Sequence, residues 1–167
     1  MSDKTLRELV YGKGAHVDPV ACVEDISADL AARTDGGYPH SIWQIVLHMS
    51  YWMDYELRKI AGETPRYPDK AGESWPPHPE SALDSQWPGA RQHFVEQLAR
   101  LAALAESDSA ILDKIVEDVG PANSSRQSTV RATLYQITAH NSYHAGQIAL
   151  LRRQAGAWPP ERGGDTW

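Results

Sequence analysis

The chain has 167 residues, 41% hydrophobic and 23% charged, the balance of an ordinary globular protein. A chain this long takes ~70% of its surface out of water on folding. A net charge of −6 and a pI of about 5.6 exclude a protein built to neutralise a phosphate backbone, which needs a clustered basic face, so no nucleic-acid partner is expected. One cysteine, Cys22, excludes an intrachain disulfide and a zinc site of paired thiolates. Seven histidines are then the count that needs explaining.

The first residues, Met1-Ser-Asp-Lys-Thr-Leu-Arg-Glu, carry charges where a signal peptide has its apolar core. No apolar run approaches the ~20 residues that span a bilayer. A cytoplasmic protein with no membrane partner is expected. Residues 3–11 read as a short helix broken at Gly12 to Gly14. Asp18-Pro19 then reads as a helix start, with proline where its missing N–H is harmless. Val20, Val23, Ile26 and Leu30 recur at spacings of three and four, which predicts one helix ending at Gly36-Gly37.

Ser41-Ile42-Trp43-Gln44 is a capping box and opens a second helix, closed by Arg58-Lys59-Ile60-Ala61-Gly62. Residues 63–80 are rich in proline and exclude regular helix; the segment is long for a bundle connection and reads as a crossover or a lid. A third helix is predicted from about Ser81, kinked at Pro88, through Phe94, Leu98, Leu101 and Leu104. Residues 107–127 read as a second long, polar connection. The fourth helix runs from Ser128 to about Ala155, with Leu134, Ile137, Ile148 and Leu151 on its apolar face. No segment alternates clearly enough to predict strands. The expectation is an all-α, four-helix bundle with long crossover connections, as a single domain over 1–167.

His140 and His144 stand four apart in the middle of the fourth helix, hence on one face. Two imidazoles so placed can share one first-row metal, though the spacing serves equally a polar edge or an internally satisfied pair. The same face carries Thr133, Ile137, Gln147 and Leu151, which turns it inward. His48 lies mid-helix in the second rod, on an edge with Gln44, Tyr51, Trp52 and Tyr55. Three histidines from two helices would supply three nitrogen ligands and leave coordination positions open, the arrangement of a catalytic rather than a structural site. No glutamate stands beside the pair to act as a zinc-protease base, and Glu56 reads as part of a solvated face. His40 and His78 adjoin prolines and read as exposed loop residues; His93 reads as half-exposed, and His16 precedes a helix start from which it could reach a pocket. Cys22 reads as a small buried hydrophobe. Trp75, Trp87 and Trp158 each precede proline and read as pins for loops.

Ala139-His140-Asn141-Ser142-Tyr143-His144-Ala145-Gly146-Gln147-Ile148 closely resembles the fourth-helix signature of the DinB/YfiT-like metalloenzyme family. Ser41-Ile42-Trp43-Gln44-Ile45-Val46-Leu47-His48-Met49 resembles its second-helix segment, and Gly14-Ala15-His16-Val17-Asp18 and the stretch from Leu150 to Pro159 match one branch of it. The resemblance implies a four-helix bundle holding a divalent metal, nickel or zinc, between helices, with the histidine triad on His48, His140 and His144. It implies a small-molecule substrate, a small thiol cosubstrate such as bacillithiol, mycothiol or glutathione, and a homodimer. It does not imply the DNA polymerase that shares the name. Tyr51, Trp52 and Gln147 are the candidate substrate-binding residues around that site. Two functions then remain: a metal-dependent S-transferase or related hydrolase, and a non-catalytic metal-binding protein of stress response or ligand binding.

Overall fold

The computed structural model describes residues 4–34, 37–77, 85–119 and 125–164. Helices α1 (Lys4–Val10), α4 (Ile42–Ile60), α5 (Trp87–Ala105) and α7 (Val130–Gln154) form the bundle. In it α4 packs against both α5 and α7, and α1 closes the opposite side against the same two. The core between them is built from Leu6 and Val10 of α1, Met49 and Met53 of α4, Phe94 and Leu98 of α5, and Leu134 and Ile148 of α7, all almost fully buried. Each such side chain contributes ~1.5–3 kcal/mol relative to exposure. No helix among the described residues is long and apolar enough to cross a membrane.

The stripe from Val20 to Leu30 is not one helix but two short ones, α2 (Ala21–Glu24) and α3 (Ala28–Ala32). The first starts later than Asp18-Pro19 suggests, with Val20 as its N-cap and no side-chain cap; Asp18 Oδ1 accepts from Val20 N at 2.8 Å in the turn just before it. The chain then leaves helical geometry at Asp25, and Ser27 starts the second helix by accepting from Leu30 N at 3.2 Å. Tertiary partners hold the break open: the Asp25 carboxylate is paired with Arg152, and Trp87 Nε1 donates to the Ile26 carbonyl at 2.7 Å. Gly36 lies outside the described residues. Gly12 has φ +77°, and a Cβ there would meet the His16 carbonyl oxygen at 2.2 Å, so this turn after α1 requires glycine.

The capping box at Ser41 is formed in both directions, Gln44 N donating to Ser41 Oγ at 3.2 Å and Ser41 N to Gln44 Oε1 at 3.0 Å. The described part of the proline-rich crossover holds only a 3-10 turn, Ala71–Ser74. The third bundle helix begins at Trp87 rather than near Ser81, which lies outside the described residues. Pro88 sits in its first turn, where a missing N–H costs nothing, and so marks a start instead of a kink. The polar connection after it is more ordered than its composition suggests. It holds α6 (Ser109–Leu112) and an antiparallel hairpin of β1 (Ile115–Val119) and β2 (Ser125–Thr129), in register from Ile115 opposite Thr129 to Val119 opposite Ser125. Thr129 then caps α7 through Ala132 N at 3.1 Å.

Candidate metal centre

Regular helix brings the three histidines together. His140 and His144 project from successive turns of α7, and His48 faces them from the middle of α4. One ring nitrogen from each lies within 4.8 Å of the others. His48 Nε2 and His140 Nε2 are 3.2 Å apart. Two nitrogens bound to one ion at ~2.0–2.1 Å with a tetrahedral angle lie roughly 3.3 Å apart, so this pair is already at the spacing of a coordination sphere.

The opposite edge of each ring is engaged by the chain itself. His48 Nδ1 donates to the Ser74 carbonyl at 3.2 Å, and His144 Nδ1 donates to Gln147 Oε1 at 2.6 Å. His140 Nδ1 lies 3.5 Å from Asn141 Oδ1, a looser contact to a buried neighbour. Oxygen acceptors on the Nδ1 side fix the tautomer that leaves an Nε2 lone pair for a metal. Burial pushes His48 and His140 down to about 4, and His144 down as well; repulsion from neighbouring rings adds to it, from His144 and His140 at His48, from His144 at His140, and from His40 at His144. Three neutral imidazoles therefore meet at one point at neutral pH. Among the described residues, no carboxylate or thiolate joins this group.

The model of the DinB family matches residues 1–163. The chain belongs to the DinB family. No curated protein and no solved structure gives a significant match. The DinB match spans α1 to α7, so the whole helical bundle lies within the matched residues, and the three histidines fall inside that range.

Within this DinB bundle, the other candidate residues separate. Tyr51 is 37% exposed and Trp52 half-buried, one turn along α4 from His48. Trp52 makes edge contacts with Tyr51 and Tyr55 and a tilted one with Tyr67 of the crossover. Gln147 spends its amide oxygen on His144, leaving its amide nitrogen as the group available to another molecule. His16 stays away from the triad, its ring nitrogens facing the carbonyls of Leu9 at 3.1 Å and Val17 at 2.9 Å. His93 is exposed on α5, and His78 lies outside the described residues. Cys22 is fully buried, and burial pushes its thiol up to about 12, which makes it inert as a nucleophile.

Two expectations fail. Glu56 is buried, not solvated: Lys59 Nζ pairs with it at 2.8 Å, and that partner is what lets the carboxylate leave water. His40 is half-buried, not an exposed loop residue. It stacks on Trp75 at 3.8 Å, and Trp75 in turn stacks on His48 at 3.8 Å. Trp75 also meets His144 edge-on at 5.6 Å. The contribution of Ser74 and Trp75 to the centre went unread because both come from the crossover, where no periodicity assigns a residue to a face. The signal available was thin: an aromatic residue fixed by the two prolines after it.

Proposed function

We propose that this DinB protein is a metal-dependent enzyme in which His48, His140 and His144 hold one divalent ion, nickel or zinc. Its reaction is the transfer of a low-molecular-weight thiol onto a small electrophilic substrate, with hydrolysis as the nearest variant. In such a transfer the thiol's proton passes to solvent water, its sulfur bonds to the electrophilic centre, and the leaving group departs with the bonding pair. The observation that carries the reading is the convergence of three neutral imidazoles whose outer nitrogens are already engaged. When bound, the ion supplies positive charge that neutral ligands leave uncompensated, so it stabilises a thiolate or a hydroxide.

The chain's own residues do the rest. Ser74 and Gln147 orient two of the ligands, and burial keeps the rings deprotonated. Tyr51 and Trp52 offer an aromatic surface on the α4 edge next to His48, and the Gln147 amide nitrogen is a donor beside His144. Cys22 cannot supply the sulfur, which supports an external thiol.

The test uses full-length, tag-free protein, stripped with chelator and reloaded with nickel or zinc. Elemental analysis is expected to find about one ion per chain. A panel of bacillithiol, mycothiol and glutathione with electrophilic acceptors is expected to show turnover that His144→Ala removes. Stoichiometric metal without turnover on any thiol or with water would favour a non-catalytic metal-binding role. A folded chain that takes up no metal would overturn the ligand assignment.

A further inference from the structure

Trp75 belongs to the crossover, outside both helices that carry the histidine triad, yet it lies flat on His48 with ring planes within 7° of parallel. His40 covers its other face, at 10°. The residues on either side of the indole fasten it to α4. The Ser74 carbonyl accepts from His48 Nδ1 at 3.2 Å, and the Pro76 carbonyl accepts from Gln44 Nε2 at 2.9 Å. Gln44 and His48 are one turn apart on the same helix, so residues 74–76 run along that edge bonded at both ends, with the indole between.

We propose that Trp75 is a positioning residue for the metal centre, setting the ring plane of His48 so that its Nε2 points to the place shared with His140 and His144. The proposal rests on the triad being a metal site. The χ2 torsion of histidine is broad, so one hydrogen bond at Nδ1 leaves the ring free to rock. A flat indole against the ring face removes that freedom, and the two constraints together define where Nε2 lies. His40 backs the indole and keeps it from tipping outward. Among the described residues its enclosed Nδ1 has no hydrogen-bond partner, a cost set against the stacking contact.

The experiment compares Trp75→Leu, which keeps apolar bulk without a flat face, with Trp75→Phe, which restores one, in the full chain. In metal-free protein, side-chain nitrogen–proton correlation spectra are expected to show His48 as one Nδ1–H tautomer in the wild type and in Trp75→Phe. Tautomer averaging is expected in Trp75→Leu, because a ring free to rock no longer keeps its Nδ1 on the Ser74 carbonyl. Zinc affinity, read by competition with a chromophoric chelator, is expected to fall ~10–100-fold in Trp75→Leu and to recover in Trp75→Phe. Circular dichroism checks that each variant is helical. A helical Trp75→Leu protein with wild-type affinity and a single tautomer overturns the proposal, and so does a Trp75→Phe protein as impaired as Trp75→Leu. If Trp75→Leu does not fold, His40→Ala decides: a smaller loss in the same direction supports the stack, and unchanged affinity overturns it. A wild-type chain that binds no zinc or nickel removes the metal reading, while the tautomer comparison still decides whether Trp75 orients His48.

Discussion

Among the polar groups that helix α7 takes out of water, two sets are solved differently. Near its C-terminal end Arg152 is 2% exposed, and the chain itself supplies its acceptors. Its Nη1 donates to Asp25 Oδ1 at 2.6 Å and to the Cys22 carbonyl at 2.8 Å. Its Nη2 donates to Asp25 Oδ2 at 3.0 Å, and its Nε to the Ala157 carbonyl at 2.9 Å. About two turns earlier at His144, and about three at His140, the Nδ1 edges face acceptors of the chain, while the inner nitrogens of the triad converge on one another. A buried polar group that finds all its partners within the chain is a fastener. A set that brings ring nitrogens from two helices to a common point is positioned to hold a cation.

The difference predicts opposite phenotypes. His144→Ala or His140→Ala is expected to abolish stoichiometric metal binding, read by elemental analysis, while the metal-free melting temperature stays within ~4 °C of wild type. A large loss of metal-free stability would place the histidines with Arg152 as fasteners and erase the distinction. Arg152→Ala is expected to do the reverse. It leaves the Asp25 carboxylate without its cation and the Cys22 carbonyl without its donor, at a cost of about 3–5 kcal/mol in urea unfolding. Metal affinity per folded molecule should not change.

The same pair sets part of the acid dependence. The hydrogen bond from Arg152 holds the Asp25 carboxyl below its ordinary 3.8, so the unfolded chain takes up that proton at higher pH than the folded one. The stabilisation is complete above about pH 5 and is lost as pH falls through 3.8 toward the folded value. Stability measured against pH should lose this component in Arg152→Ala. An unchanged acid limb would show that other carboxylates dominate it.

How legible these two places were in the sequence follows from the same contrast. The triad could be read because helical periodicity places residues four apart on one face, and because His48 and His140 sit within strong helical patterns. The capping box at Ser41 was legible for the same local reason. Arg152 was visible only as a cation in a last helical turn, since the partners of its two Nη atoms lie far away in sequence, at Cys22 and Asp25. Those tertiary bonds also split the stripe from Val20 to Leu30 into two helices that local spacing alone joins. The hairpin was missed because β2, Ser-Arg-Gln-Ser-Thr, carries no apolar residue, so no alternation marks it. The Trp75 stack escaped because a proline-rich segment has no period from which a facing residue can be inferred.

An intermediate case sharpens the contrast. Gln147 is a chain-supplied partner that serves a proposed ligand, so removing it should cost function more than stability. Gln147→Ala is expected to weaken zinc binding ~10–100-fold with little change in metal-free melting temperature. Gln147→Glu keeps an acceptor on His144 Nδ1 and should recover most of the affinity. Equal loss in both variants would show that the contact does not set the ring.

The smallest effect should come from Cys22, whose backbone and side chain play separate parts. The carbonyl belongs to the Arg152 cluster, while the thiol is packed in the core with its proton held by burial. Cys22→Ala keeps the carbonyl and removes only the sulfur, so the Arg152 cluster remains intact. The expected cost is about 1 kcal/mol, from lost packing and a small cavity. Any turnover with an added thiol should be unaltered, because the buried sulfur takes no part. A Cys22→Ala protein that keeps its stability and its bound metal but loses thiol-dependent turnover would make the cysteine a participant, and would move that end of α7 from fastening into chemistry.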